Sequence, residues 1–199
     1  MSARLGWCLA LILAALLLAV AFFLDSTVHG WVVQHQTREL RAGALLVSRW
    51  GDWPSHIVLG VLGVAAAYFL GDRKWLRIFA AMILACALAG AATRVIKIST
   101  GRARPSVTLD AGWNGPRFSS KYHAFPSGHT ASSLAFFAVP LFARRRIALL
   151  FLPIPLLIAS ARVLLDAHYL SDVVFAALLG VLCAWLVWRF VTTRYPEPT

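Results

Sequence analysis

Long apolar runs separated by short polar clusters dominate this chain. Six runs approach the roughly 20 residues that a helix needs to cross the ~30 Å hydrocarbon core of a bilayer. They cover residues 5–24, 56–70, 75–96, 130–143, 147–165 and 170–191. Asp25 ends the first run, which is too long for the apolar part of a signal peptide and is interpreted as a retained span. The pattern predicts an all-α fold, a six-transmembrane-helix bundle forming one domain over residues 1–199.

Two connecting stretches differ from the other, shorter polar clusters. Residues 25–55 mix polar and apolar positions, which indicates an amphipathic helix at the membrane interface, with an irregular loop as the alternative. Residues 99–129, between the third and fourth runs, are rich in Gly, Pro, Arg and Ser. We expect this long loop between helices 3 and 4 to carry the chemistry.

Composition narrows the class of protein. The chain is 60% hydrophobic and 14% charged, with a mean hydropathy of +0.73, whereas soluble domains are about 45–50% apolar and about 25% charged. A soluble globular domain and a disordered chain are therefore excluded. The formal net charge of +11 favours an anionic membrane and a phosphate-bearing substrate as partners, and it argues against nucleic acid in so apolar a chain.

The distribution of basic residues predicts the orientation in the membrane. Of the 19 Lys and Arg, nine lie on the side of the two termini and ten on the other side, six of them in or beside the 99–129 loop. A phosphate-binding site in this loop would account for those six. Four basic residues then remain on the loop side, against nine on the side of the termini. The positive-inside tendency then places both termini in the cytoplasm and the long loop outside.

Cationic residues at the end of the third run form the first candidate site segment, K-I-S-T-G-R-A-R-P. The ammonium of Lys97 and the fork-shaped guanidinium of Arg104 are suited to clamp a phosphate. Arg102 is a second candidate for a phosphate contact, whereas Arg94 is interpreted as an anchor at the helix end.

A second segment, P-S-G-H, lies directly before the fourth run. Ser127 and Gly128 at a helix start offer free N–H groups and a positive dipole end to an anion. The alternative is a simple helix cap, with His129 as a polar residue of the first turn.

The third segment, R-V-L-L-D-A-H-Y-L-S-D, places His168 and Asp172 four residues apart, on one helix face if the sixth helix begins there. A carboxylate in that position holds one ring nitrogen as N–H and leaves the other free to attack an electrophile.

Together the three segments resemble the type-2 phosphatidic acid phosphatase superfamily, whose pattern is K-x6-R-P, then P-S-G-H, then S-R-x5-H-x3-D. The residues that match are Lys97, Arg104, Pro105, Pro126, Ser127, Gly128, His129, Arg162, His168 and Asp172. One position departs from the pattern, because Ala161 stands where the family has a serine.

The resemblance implies an integral-membrane lipid phosphatase that works through a phosphohistidine, without a metal or other cofactor. His168 would be the nucleophile, oriented by Asp172, and His129 the general acid and base. Lys97, Arg104, Ser127, Gly128 and Arg162 would bind the phosphoryl oxygens.

The implied location is a bacterial inner membrane, with the site facing the periplasm or outside. The substrate would be phosphatidylglycerol phosphate, phosphatidate, undecaprenyl diphosphate or a lipid A phosphate. A lipid phosphotransferase using the same histidine and a non-enzymatic lipid transporter are the alternatives. The oligomeric state is left open, and a metal site formed by His123 with His129, His168 and Asp172 is disfavoured by the cations nearby.

Overall fold

A computed structural model describes residues 3–107, 111–143 and 145–194. Within these ranges the chain forms eight α-helices and one short 3-10 turn, Ser120–Tyr122. The helices are α1 (Ala3–His35), α2 (Arg38–Trp50), α3 (Trp53–Phe69), α4 (Arg73–Thr100), α5 (Gly128–Ala143), α6 (Arg145–Phe151), α7 (Pro153–Leu164) and α8 (Leu170–Arg194). An isolated bridge between Arg102 and Trp113 is the sole extended pairing in the described ranges. The predicted all-α fold class is confirmed.

Four helical stretches of the described chain are long and apolar enough to cross a membrane, namely Arg4–His35, Arg73–Thr100, Arg146–Leu164 and Leu170–Arg194. They correspond to the first, third, fifth and sixth predicted runs. The second and fourth runs form α3 and α5, which are apolar but shorter. Four of the six predicted spans are therefore long enough to cross a membrane. The other two, α3 and α5, stay predictions.

Helix α1 extends beyond the end that the sequence predicts for it. Asp25 does not stop the helix, which continues to His35. The Asp25 side chain is buried and accepts a hydrogen bond from Arg102. Because the charge is paired inside the protein, it does not force the chain out of the apolar region.

The predicted amphipathic helix between the first two runs is shorter than residues 25–55 and corresponds to α2. The Thr37 hydroxyl caps it by accepting a hydrogen bond from the Leu40 N–H (3.2 Å). Its inner side buries Ala44 and Ser48 and packs against α7. Leu45, Leu46 and Trp50 are exposed on the outside, as an interfacial helix requires.

The core lies around α5, which packs between α4 and α8. The fully buried side chains there include Phe136 and Val139 of α5 and, facing them on α4, Ile78. Gly180 allows the close approach of α8, because a Cβ at that position would lie 2.6 Å from the carbonyl oxygen of Ala131. A core of this density fixes the start of α5 relative to the start of α8.

Gly101 directs the chain from α4 into the long loop. Its φ is +54°, and a Cβ there would lie only 1.8 Å from the carbonyl oxygen of Gly115. Only glycine fits this turn. The loop therefore leaves α4 abruptly and folds back over the end of the bundle.

Candidate active site

Four helix ends meet at one end of the bundle. Lys97 lies in the last turn of α4, His129 in the first turn of α5, Arg162 in the last turn of α7 and Asp172 in the first turn of α8. The Ser127 N–H donates to the carbonyl oxygen of Asp172 (3.1 Å), which joins the entries to α5 and α8. The three sequence segments therefore form one site.

The His168 ring is buried between α7 and α8, and its orientation is set mainly by the backbone. Nδ1 lies 2.6 Å from the carbonyl oxygen of Ala124, an acceptor, so this nitrogen carries the proton. Asp172 Oδ2 lies farther away, at 3.7 Å from Nδ1. Nε2 is left without a proton, as the sequence predicts, although Ala124 provides the hydrogen bond that we expected from Asp172.

The Asp172 carboxylate is fully buried and uses its oxygens elsewhere. Oδ1 accepts a hydrogen bond from Arg102 Nη1 (2.6 Å), and Oδ2 accepts one from the Tyr169 N–H (2.8 Å). It thus caps the start of α8 and faces His168 as a nearby negative charge. This contact is electrostatic because 3.7 Å exceeds hydrogen-bonding distance.

Burial and positive charge keep His168 neutral. The pKa of its imidazole lies well below the ordinary value, first because the ring is buried and then because the charges of Lys97, Arg162 and Arg104 surround it. Both effects disfavour a protonated ring. The ring is therefore an unprotonated nucleophile over a wide pH range.

The three predicted phosphate-binding cations lack carboxylate partners among the ion pairs of the described residues. Lys97 Nζ donates to the carbonyl oxygen of His123 (3.1 Å), and Arg162 Nη1 donates to the Ser48 hydroxyl (2.6 Å). The Nε atoms of Arg104 and Arg162 are buried without a hydrogen-bond partner in the described chain. Buried donors of this kind are costly unless a ligand accepts from them, and an anion meets that need.

The entry to α5 adds neutral donors beside these cations. A Cβ on Gly128 would lie 3.8 Å from Lys97 Nζ, so the backbone of Gly128 faces the ammonium group. Ser127 is fully buried, and its hydroxyl accepts a hydrogen bond from the Thr130 hydroxyl (3.0 Å). The Ser127 O–H proton is thereby available to a further acceptor. This arrangement favours the anion site over the simple cap.

His129 faces a carboxylate that the sequence analysis did not single out. Asp52 Oδ1 lies 3.7 Å from His129 Nε2 and also caps α3 by accepting from the Trp53 N–H (2.8 Å). The D-W-P sequence is typical of a helix start, but it carries no sign of a histidine on α5. Ser48 was missed for the same reason, since it lies in α2, far from every motif.

Arg102 is not oriented as a phosphate contact. Its guanidinium donates to Asp172, Ser171 and Asp25 at 2.6 to 2.7 Å and is almost completely buried. Arg94, interpreted as an anchor, lines the cavity described next.

A cavity of about 550 Å³ opens beside the cations. Lys97, Arg104, Gly128 and His129 form its polar wall. Trp53 and Ile57 of α3 and Ala87 and Ala91 of α4 belong to its apolar wall. The cavity matches an amphiphile that has a phosphate at one end and hydrocarbon at the other.

The alternative metal site is not assembled. His123 Nε2 is directed to the carbonyl oxygen of Arg117 (3.0 Å). In the part of the chain that the structure describes, no three His, Cys, Asp or Glu side chains come together in a geometry that would hold a metal ion.

Comparison with protein families and characterised sequences gives a consistent result. A family model described as the PAP2 superfamily matches residues 76–196. A lipid A 1-phosphatase of Rhizobium johnstonii is 38% identical over 101 residues, which is 48% of this chain and 39% of that protein. A lipid A 1-phosphatase of Rhizobium etli is 36% identical over 96 residues, 46% of this chain and 40% of that protein. The chain thus matches about two fifths of the length of these curated relatives.

Solved structures share the fold. A transmembrane PAP2-type phosphatidylglycerolphosphate phosphatase from Bacillus subtilis superposes with a TM-score of 0.72 at 19% identity, covering 94% of this chain and 96% of that chain. LpxE of Aquifex aeolicus superposes with a TM-score of 0.59 at 17% identity, covering 83% and 95%. At these identities the likeness concerns the fold alone.

Proposed function

The chain belongs to the PAP2 superfamily, and from this premise we propose that it is an integral-membrane phosphatase that hydrolyses lipid phosphates through phospho-His168. The observation that carries the proposal is the set of three cations around a neutral, buried imidazole, with two guanidinium Nε atoms that lack partners. Such a site is electrostatically unfavourable when empty, and a phosphoryl group supplies the missing negative charge.

In the first half-reaction, His168 Nε2 attacks phosphorus. The lone pair of Nε2 forms the N–P bond, and the P–O bond to the lipid breaks with its electron pair going to the lipid oxygen. Lys97, Arg104 and Arg162 stabilise the charge on the phosphoryl oxygens, with the Ser127 hydroxyl and the Gly128 N–H as further donors. His129 gives a proton to the departing oxygen.

In the second half-reaction, water replaces the lipid. His129, now neutral, accepts a proton from the water, whose oxygen attacks phosphorus as the N–P bond breaks. Asp52, 3.7 Å from His129 Nε2, stabilises the protonated ring that is present before the first half-reaction and restored by the second. Inorganic phosphate leaves and His168 returns to its starting state without a metal.

The apolar wall of the cavity supports a lipid as the substrate. The exposed side chains along α3 and α4 would hold acyl chains, while the phosphate reaches Lys97 and Arg104. Identity with two lipid A 1-phosphatases over about half of this chain makes the 1-phosphate of a lipid A the first substrate to test.

From the six apolar runs and the distribution of basic residues, we also propose one membrane domain over residues 1–199 with six crossings, including α3 and α5. Both termini would lie in the cytoplasm of a bacterium and the site would face the periplasm or outside. Cysteine labelling from either side of sealed vesicles tests this orientation. Labelling of S120C by an impermeant reagent added to the cytoplasmic side would contradict it.

Phosphate release from detergent-solubilised protein tests the activity. The substrates are lipid A 1-phosphate, phosphatidylglycerol phosphate, phosphatidate and undecaprenyl diphosphate, each with ³²P in the terminal phosphate. We expect release that survives EDTA, an acid-labile ³²P-protein in the wild type, and loss of both in H168A. Label on a second lipid instead of free phosphate would indicate a phosphotransferase. Lipid movement across liposomes without hydrolysis would indicate a transporter.

A further inference from the structure

A buried hydrogen-bond network joins α1 to Asp172, the carboxylate that lies beside the proposed nucleophile. Arg102 Nη2 donates to Asp25 Oδ2 (2.7 Å), and Arg102 Nη1 donates to Asp172 Oδ1 (2.6 Å). Ser171 connects the same groups, since its N–H donates to Asp25 Oδ1 (2.8 Å) and its hydroxyl to Asp25 Oδ2 (2.6 Å). None of the four residues is more than 7% exposed. Asp25 lies 77 positions before Arg102 and outside every motif.

Aromatic rings exclude water from this network. The Arg102 guanidinium carbon lies 4.3 Å from the ring centre of Tyr169, 4.9 Å from that of Trp113 and 5.4 Å from that of Phe22. Charges interact more strongly in such surroundings than in water. The balance of charge in the network therefore affects any group that lies beside it.

The network has a formal net charge of −1, from one guanidinium and the carboxylates of Asp25 and Asp172. Both oxygens of Asp172 accept hydrogen bonds, from Arg102 and from the Tyr169 N–H, as an ionised carboxylate does. Without Asp25, the positive charge of Arg102 and the negative charge of Asp172 would cancel, and the network would have no net charge. Asp25 thus neutralises Arg102 and leaves the charge of Asp172 to act on His168, 3.7 Å away.

This charge is needed at the moment when His168 reacts. Nε2 uses its lone pair to form the N–P bond while Nδ1 keeps its proton, so the ring gains a positive charge. Lys97, Arg162 and Arg104 oppose that charge. Asp172 is the carboxylate that the structure places beside Nδ1.

We propose that Asp25 is a positioning residue of the phosphoryl transfer, which acts through Arg102 and Asp172 to stabilise the cationic phospho-His168. The inference rests on the proposed function. It assigns a role in the reaction to a carboxylate of the first transmembrane helix that touches neither the substrate nor His168.

The test compares D25N with D72N in the purified full-length protein. Asp72 caps α4 at the end opposite to Lys97, about 40 Å away along a helix of that length, so D72N makes the same chemical change far from the site. We expect D25N to lower kcat about 10- to 100-fold per folded molecule with KM changed less than about 3-fold. Inhibition by orthovanadate, which mimics the transition state on the nucleophile, should weaken by a similar factor, and inhibition by inorganic phosphate by less than about 2-fold.

The double variant D25N/R102Q separates charge from structure. It removes one positive and one negative charge and leaves Asp172 alone, so the network keeps its formal −1. We expect its kcat to recover to within about 10-fold of the wild type. A purely structural network predicts that the double variant is at least as impaired as D25N.

The inference is overturned if D25N, normalised to folded protein, keeps kcat within about 2-fold of the wild type, or if D25N/R102Q is at least as impaired as D25N. If D25N does not fold, the test rests on D25N/R102Q. A kcat of this double variant more than about 100-fold below that of the wild type then refutes the inference. Failure of the proposed function is distinguishable from failure of this inference, because in that case the wild type itself would form no ³²P-protein.

Discussion

Arg102 and Arg104 are separated by one residue of one loop, yet their surroundings are opposite. Arg102 is enclosed by two carboxylates and three aromatic rings. Arg104 is partly buried, and its Nε has no hydrogen-bond partner in the described chain. Strand alternation does not explain this difference, because residues i and i+2 of an extended chain point to the same side. The isolated bridge to Trp113 involves Arg102 alone, so the tertiary contacts of each side chain separate the two arginines. A cation balanced by carboxylates joins elements of the fold, whereas a buried cation without a partner indicates where an anion binds.

The largest effect that tests this comparison is expected at Arg104. R104Q removes a guanidinium that would stabilise the transition state, and loss of one such donor costs about 10²- to 10³-fold in rate. We expect kcat/KM for lipid phosphate to fall by about that factor without loss of stability, because repulsion among the site cations is relieved. Initial rates measure kcat/KM, and thermal unfolding in detergent measures the stability. Unfolding of R104Q well below the wild type would show that Arg104 stabilises the fold instead.

Arg102 should show the reverse pattern. R102M leaves Asp25 and Asp172 buried without their partner, and breaking a buried pair in this way costs about 3–5 kcal/mol. We expect the free energy of unfolding to fall by about that amount, measured by denaturant titration. A variant as stable as the wild type would mean that the network contributes little to the fold.

Inorganic phosphate should stabilise the protein through the unpaired cations. Ligand at 100 times its dissociation constant adds about 2.7 kcal/mol to the native state. We expect phosphate to raise the midpoint of thermal unfolding of the wild type and of D72N, but not of R104Q. Chloride at the same ionic strength controls for screening. An equal rise in R104Q would place the phosphate elsewhere.

A smaller effect is expected from Ser48, which accepts a hydrogen bond from Arg162 at 2.6 Å. A hydrogen bond to a charged group contributes about 1.5–3 kcal/mol. Water is able to replace the hydroxyl in part, so we expect S48A to lower kcat/KM only about 10-fold. S160A is the matched control, because that hydroxyl is exposed and donates to the carbonyl oxygen of Leu156 in its own helix. Equal activity of S48A and wild type would show that Arg162 needs no support from α2.

The smallest expected change is in the protonation of His168, whose ring is affected by the charges of Lys97, Arg162 and Arg104. Its pKa is well below 6.5 in the folded protein, so between that pKa and about 6.5 the unfolded chain binds a proton that the folded chain does not. This contribution to stability is present above about pH 6.5 and is lost as the pH falls below it. We expect ¹⁵N NMR to show a neutral, Nδ1-protonated ring that does not titrate near 6.5. A protonated ring at pH 6 would contradict this.

Much of the candidate site is contained in local sequence. Lys97 precedes a helix end, Ser127 and Gly128 begin a helix, and His168 lies one turn before Asp172, so spacing alone places each group at a helix terminus. The apolar runs likewise predict helices at approximately the observed positions, because burying backbone groups in a bilayer leaves few alternatives to a helix.

The rest depends on contacts between residues that are distant along the chain. Asp25 lies buried inside α1 because Arg102 meets it there, whereas its sequence context predicts the end of a span. Asp52 and Ser48 face His129 and Arg162 only once α2 and α3 pack on α5 and α7. Ala124 supplies through its backbone the hydrogen bond that a carboxylate was expected to make.

The sequence by itself determined that this is a helical membrane protein with a cluster of candidate phosphate-binding residues, because hydropathy and motif spacing are local properties. Which arginine faces the carboxylates and which remains available to an anion was decided only by the tertiary structure. Charge compensation depends on distances of 2.6 to 2.7 Å between a loop residue and two different helices, and spacing along the chain does not encode those distances.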